Sequence, residues 1–337
     1  MDGQHSLKSF LRPAFLRYSR EKMYPSPFLF GIVWPIVSYW LPQFPFMFAV
    51  TGITGQVGGA VAENLLKRGH KVRAVMRDAG KGRAWSDRGC EVVMATFENA
   101  ASLVEAFRGA EGVFVLVPPN FDPLPEFPEA HKMGETLRTV LMEANRARVV
   151  YLSTIGAQAR ESNLLTQHTI IEKGIGGLAI PITFLRPAWF MENSSWDVVP
   201  ARDHGVISSF LQPLDNPVPM VATADIGRVA AELLQETWGD CRVVELEGPE
   251  RVTPNKIAAT FARLLDRPVR METVPRESWE ALFKSQGMRN PMPRIRMLDG
   301  FNEGWIEFER GETGSRKGSV ALEVVLKALI ERATNAP

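Results

Sequence analysis

From Phe46 onward, short apolar runs alternate with stretches in which apolar residues recur at helical spacing. The run "FMFAVT" (Phe46–Thr51) is short enough for a buried parallel strand, and Val61, Leu65 and Leu66 after it mark one helix face. A second strand, "KVRAVMRD" (Lys71–Asp78), follows. Further strands are predicted at Glu91–Ala95, Gly112–Pro119, Arg148–Thr154 and Ile182–Pro187. Helices fall between them: near Ala101–Phe107, through Leu137 and Leu141, and around His168. Strands alternating with helices predict an α/β fold, a doubly wound parallel sheet covered on both faces. Past Pro187 the pattern loosens. "TADIGRVAAELL" offers Thr223 as a helix cap, Asp225 in the first turn and an apolar face of Ile226, Val229 and Leu233. "VTPNKIAATFARLL" offers Thr253 as cap with Pro254 at the first helical position, and "SVALEVVLKALIERA" reads as an amphipathic closing helix. The expected organisation is an extension over 1–45, a nucleotide-binding domain over 46–200 and a smaller C-terminal α/β lobe over 201–337, part of which returns to the main sheet.

Between the first strand and the first helix stand Gly52, Gly55 and Gly58 in the spacing GxxGxxG, with Thr54, Gln56 and Val57 among them. Glycine permits positive φ in such a turn, lets the backbone approach a pyrophosphate and packs helix against strand. The anion then meets the free N–H groups at the positive end of the helix. Parallel sheets bind ligands at the carboxyl ends of their strands, which brings Thr96, Phe97, Pro118, Pro119, Ser153 and Thr154 to one crevice with the glycine turn. At the end of the second strand an acidic residue would accept the adenosine ribose hydroxyls and favour NAD. Arg77 stands there instead, with Lys81 close behind, and a guanidinium pairs with a 2′-phosphate. NADP(H) is therefore expected over NAD(H), although Asp78 is adjacent and a solvated basic loop has the same composition.

Composition narrows the class. A chain of 337 residues, 45% hydrophobic and 23% charged, has enough material for a sizeable core and about two domains, or one large α/β domain with an appended lobe. The formal net charge of +1 gives no global field for nucleic acid. The two cysteines, Cys90 and Cys241, have no partner at metal spacing, so no metal site and a reducing, cytoplasmic setting are expected.

Several stretches together resemble the NmrA-like group of atypical short-chain dehydrogenases/reductases: "VTGITGQVGGAV", "VVYLSTIGA", "FLRPAWFMEN", "PMVATADIGRVAAELL", "PERVTPNKIA" and "MLDGFNEGWIEFE". The resemblance runs from about Phe46 to the C-terminus. It implies a Rossmann domain with a small C-terminal lobe and bound NADP(H). Some relatives reduce quinones, and others are redox sensors that bind regulatory partners. Relatives often carry Gly-Asp after the third strand, where this chain has Ala95 and Thr96.

Reductases of the parent superfamily use a Tyr-x-x-x-Lys pair on the helix after the fifth strand. The family register puts Leu164 at the tyrosine position and His168 at the lysine position. The four tyrosines, Tyr18, Tyr24, Tyr39 and Tyr151, have no lysine four residues on, so tyrosine acid catalysis on that helix is excluded. His168, one turn before Glu172, is the candidate catalytic and ribose-binding residue, either bonding the ribose or supplying a proton near neutral pH. Its alternative reading is a polar helix residue without a task. Trp189, Phe190, Met191 and Asn193 at the exit of the sixth strand form a candidate wall for a flat apolar substrate, or part of the core.

Residues 1–45 stand outside the resemblance: five basic residues, then the apolar run "FLFGIVWPIVSYWL", too short to span a membrane and interrupted by Pro35. Three readings stay open: a dispensable extension ahead of Met47, a targeting or membrane-surface segment, and a piece packed on the fold. The function expected is an NADPH-dependent reductase of quinones or similar small electrophiles; the alternative is a non-catalytic NADP(H) sensor with a regulatory protein partner. No nucleic acid is expected, and no membrane unless residues 1–45 anchor the chain.

Overall fold

The structure is a computed structural model that describes residues 46–144 and 148–335; the expectations for residues 1–45 lie outside them. In chain order the first half carries β1 (Met47–Thr51), α1 (Gln56–Lys67), β2 (Lys71–Met76), α2 (Gly82–Ser86), β3 (Glu91–Met94), α3 (Ala100–Phe107), β4 (Gly112–Val115), α4 (Pro128–Ala144) and β5 (Arg148–Leu152). Then come α5 (Thr166–Ile175), β6 (Ile182–Pro187), β7 (Trp189–Phe190), α6 (Val198–His204), β8 (Val206–Ser209), β9 (Met220–Val221) and α7 (Thr223–Gln235). The chain closes with β10 (Arg242–Glu247), α8 (Pro254–Leu265), β11 (Arg270–Thr273), α9 (Trp279–Ser285), α10 (Met292–Glu303), α11 (Gly311–Gly314), β12 (Arg316–Lys317) and α12 (Leu322–Thr334).

Eight strands form one sheet in the order β12-β10-β6-β5-β4-β1-β2-β3, and every pair is parallel. The strand order reverses between β1 and β4, so a crevice opens there at the carboxyl ends. Both faces are covered, as the near-continuous apolar strands require. Along β1, Phe48 and Val50 face a core built with Val57, Val61 and Leu65 of α1 and Ile226, Val229 and Leu233 of α7. Ala49 faces the opposite core, built with Leu103 and Phe107 of α3, Leu137 and Leu141 of α4 and Ile171 of α5. A smaller aromatic cluster, Trp279 and Phe283 of α9 with Ile295 and Leu298 of α10, packs beside Trp189 and Phe210.

Two strands from beyond residue 200 extend the main sheet: β10 pairs with β6, and β12 with β10. The described residues from Phe46 onward cluster as a single compact unit. The hydroxyl of Thr253 caps α8 by accepting from the Lys256 N–H at 3.0 Å. Thr223, by contrast, is the first residue of α7 and not its cap; Ala222 holds the cap position. Among the described residues no helix is long and apolar enough to cross a membrane.

Candidate functional site

Gly52 follows β1 at φ +63°, and its carbonyl accepts the Gly55 N–H at 3.0 Å, folding the chain back into α1. A Cβ on Gly58 would lie 2.3 Å from the Gly52 oxygen, so only glycine lets α1 seat against this turn. Gly55 precedes α1 without any side-chain cap. The first-turn N–H groups of α1 have no local acceptor, an arrangement suited to an anion. The hydroxyl of Thr51 accepts the Leu116 N–H at 2.7 Å and so ties the exits of β1 and β4 together.

Around this turn lies a cleft of about 690 Å³. Of the expected residues, Gly52, Thr54, Gly55, Gln56, Val57, Arg77, Lys81, Thr96, Phe97, Pro118, Pro119, Phe190 and Asn193 line it. Arg77 and Lys81 make no ion pair among the described residues; Asp78 lines the same cleft, and its Oδ1 accepts the Gly80 N–H at 2.9 Å. Glu98 also lines the cleft; its carboxyl is held below the usual range by its own backbone N–H, by Thr96 and, less, by Arg77.

Six expected residues do not line the cleft. Gly58 acts one layer back, through packing. Trp189 stacks edge-on against Phe301 at 5.2 Å, and Met191 is buried in the core, so the strand exit presents only alternate side chains to the cleft. Thr154 is absent from the lining. The Ser153 hydroxyl donates to Glu172 at 2.5 Å, and Glu172 is held bidentately by Arg186 at 3.0 and 2.6 Å. His168 points elsewhere: its Nδ1 lies 2.8 Å from the hydroxyl of the buried Tyr151. Burial pushes the imidazole down to about 4 and, with Glu172 adding to it, pushes the Tyr151 phenol well up. Both are therefore neutral at pH 7. The pairing with Glu172 suggested by helical spacing is replaced by two separate contacts, each reaching into β5 or β6.

The cleft also contains residues that the sequence pattern did not assign to it. Glu192, Ser195 and Thr223 line it beside Asn193. The Glu192 carboxylate accepts the Thr223 N–H at 2.9 Å and its hydroxyl at 2.6 Å, so a tertiary carboxylate covers the start of α7. The available signal was alternation: Phe190 and Glu192 lie two apart, and the buried Met191 separates them.

A model of the NmrA-like family matches residues 47–307. Quinone oxidoreductase 2 of Escherichia coli is 27% identical over 247 residues, 72% of this chain and 82% of that protein. The (4-alkanoyl-5-oxo-2,5-dihydrofuran-3-yl)methyl phosphate reductase of Streptomyces griseus is 30% identical over 229 residues, 67% of this chain and 76% of that protein. Among solved structures, the NADPH complex of the E. coli quinone oxidoreductase QOR2 superposes with a TM-score of 0.69 at 23% identity, covering 86% of this chain and all of that one. The chain belongs to the NmrA-like family.

Proposed function

We propose that this protein is an NAD(P)H-dependent oxidoreductase, preferring NADPH, that reduces quinones or similar small electrophiles. The observation that carries the cofactor is the exit of β2. Arg77 and Lys81 line the cleft without an ion-pair partner among the described residues, and one oxygen of the adjacent Asp78 carboxylate already accepts the Gly80 N–H. The glycine turn offers open N–H groups to a pyrophosphate, and Arg77 offers a planar fork to a 2′-phosphate. Bound there, the reduced nicotinamide supplies the hydride. The protein's work is to orient the ring and exclude water through Pro118, Pro119, Phe190 and Asn193. The names of the similar proteins, a quinone oxidoreductase and a dihydrofuranyl-methyl phosphate reductase, support reduction as the reaction class. A quinone is the substrate type that best suits a site without a phenolic acid, because its reduced oxygen can take a proton from water.

A hydrogen bond to a charged group contributes about 1.5–3 kcal/mol, so NADPH is expected to bind about tenfold to a hundredfold more tightly than NADH. Titration calorimetry with both cofactors tests this, and R77A is expected to remove most of the preference. Equal affinities in the unsubstituted protein would end the assignment.

A second reading rests on Ser153 and His168. Both polar groups nearest the superfamily's catalytic positions are engaged internally, by Glu172 and Tyr151. That favours an NADP(H) sensor whose ligand state sets a partner interaction. Tight NADPH binding without NADPH oxidation across a panel of quinones would support this reading over the first.

A further inference from the structure

α3, α4 and α5 supply the helical cover on the Ala49 face of the sheet, and β10 adds only the partly buried Val243 to that core. Between α5 and β10 lies a second cavity, of about 720 Å³. The cross-strand partners Phe184 and Val243 line it, together with Thr169, Glu172 and Lys173 of α5. The loop before α5 contributes Arg160, and Cys241 and Glu309 join from the C-terminal part of the chain. No residue lines both this cavity and the cleft at the glycine turn.

The cavity lining carries more positive charge than its own carboxylates balance. Arg186, buried, lines it with its Nε and Nη2 held by Glu172 at 3.0 and 2.6 Å. The remaining edge, Nη1, is shared between the Gln158 side-chain oxygen at 3.4 Å and a Glu309 oxygen at 3.1 Å. The Glu309 side chain is 58% exposed, so a carboxylate largely in solvent occupies one edge of a buried guanidinium. It marks a seat that a carboxylate from outside the chain fits equally well, since the planar fork of arginine accepts such groups in one plane. Two further cations of the lining, Arg160 and Lys173, are exposed and make no ion pair among the described residues. Arg242, by contrast, is held by Glu236 at 2.6 Å and lies over the Trp238 ring at 4.3 Å.

We propose that this cavity is a second ligand site, for a small dicarboxylate. One carboxylate replaces Glu309 on Arg186, and the other pairs with Arg160 and Lys173. The short hydrocarbon between them lies against Phe184 and Val243. Two separate cationic seats in one cavity favour two linked acidic groups over a single anion, because the linkage makes the second contact intramolecular. Glu309 is the internal occupant that holds the Arg186 seat until the ligand arrives.

The cavity contains its own reporter. Cys241 lines it and is exposed, whereas Cys90, the other cysteine, is buried. The test measures the rate at which iodoacetamide alkylates Cys241 in the full chain as succinate is added at constant ionic strength, with titration calorimetry as a measure of binding independent of the thiol. Succinamide, neutral and of the same length, is expected to bind about tenfold to a hundredfold more weakly, the range of hydrogen bonds to charged groups. K173M and R160M are each expected to weaken succinate binding. E309Q is expected to tighten it by up to about fivefold, the range of a partly exposed ion pair, because the competing carboxylate is gone. Saturating NADP+ is expected to leave succinate affinity unchanged, since the two linings share no residue. Thermal midpoints report whether each variant is folded, and the exposed positions 160 and 173 keep the test open if E309Q is not. Equal binding of succinate and succinamide, or affinities that ignore all three substitutions, would overturn the proposal. Displacement of succinate by NADP+ would do the same, by placing it in the cleft at the glycine turn. Inorganic phosphate that protects Cys241 as well as succinate does would overturn the dicarboxylate and leave a general attraction for anions.

Discussion

His168 and Asp197 are the two residues with large opposite proton preferences. Burial pushes His168 from 6.5 down to about 4, and burial pushes the Asp197 carboxyl from 3.8 up to about 6 against a small opposing hydrogen bond from Ser194. For His168 the unfolded chain holds more protons between pH 4 and 6.5, so its contribution to stability is complete above pH 6.5 and is lost as pH falls towards 4. For Asp197 the native state holds more protons between pH 3.8 and 6, so its contribution is complete below pH 3.8 and is lost as pH rises to 6. Each amounts to roughly 3 kcal/mol at about 1.4 kcal/mol per pH unit, and over pH 4–6 they oppose one another. H168N is therefore expected to become more stable as pH falls from 6 to 4, and D197N less stable, relative to the unsubstituted protein. Denaturant midpoints at pH 6.5, 5.5 and 4.5 check this; parallel profiles for all three proteins would show that neither group is desolvated. The Glu172–Arg186 pair makes a second prediction at this scale. Its side chains are only 8% and 7% exposed, and removing one partner strands a buried charge at about 3–5 kcal/mol. R186M is expected to lower stability by that amount in urea unfolding. A loss below 1 kcal/mol would mean that Glu172 finds another partner or takes up a proton. Neither contact was legible in the sequence, because both join α5 to strands by side-chain direction, which spacing along one helix does not reveal.

Elements were legible where one rule decided them. The six strands from β1 to β6 and helices α1, α3, α4 and α5 between them follow from apolar periodicity, and the capping threonine of α8 from its hydroxyl and the proline behind it; the short α2 was not singled out. β10 was not singled out, because it carries Glu245 and Glu247 at alternate positions, and both are buried. They are satisfied by groups distant in sequence: Glu245 by the Glu309 N–H at 2.7 Å, and Glu247 by Ser315 and Lys317 at 2.5 and 2.7 Å. The start of α7 misled for the same reason, since Glu192 covers it from another element and the local threonine does not cap it. The approach of α7 to α1 was also hidden. A Cβ on Gly227 would lie 2.3 Å from the Ala60 Cβ and 2.8 Å from its carbonyl carbon, so these helices touch backbone to backbone. G227A is expected to cost several kcal/mol, beyond the 1–3 typical of overpacking, and to weaken cofactor binding because α1 carries the glycine turn. G177A, where an added Cβ meets nothing within 4 Å, is the comparison and should stay within about 0.5 kcal/mol. Equal thermal midpoints for the two variants would mean that α1 and α7 separate at little cost.

At the scale of the molecule, the last thirty residues complete the core of a fold whose family match ends at residue 307. Leu322, Val325, Leu326 and Leu329 of α12 are buried in the same core as α1 and α7. The segment before them is latched: Asp225 of α7 accepts the N–H groups of Ser319 and Val320 at 2.8 Å each, and the Glu247 carbonyl accepts that of Gly318 at 2.7 Å. α12 packs on α6, on α8 and on the 3-10 stretch Met191–Asp197 that brings Glu192, Asn193 and Ser195 to the cleft. Its amphipathic pattern was readable in the sequence; what it supports was not, because period alone does not say which core a face enters. Burying an aliphatic side chain contributes about 1.5–3 kcal/mol, so four of them match the ~5–15 kcal/mol by which a domain is stable at all. A chain ending after Lys317 is expected to lose cooperative unfolding and cofactor binding together. L326A, which opens a cavity in the full-length chain, is expected to cost about 2–5 kcal/mol while leaving the transition cooperative. If the shortened chain melted at the full-length midpoint and still bound NADPH, α12 would be an appendage, and the support it gives to the cleft segment would have to come from α6 and α8 alone.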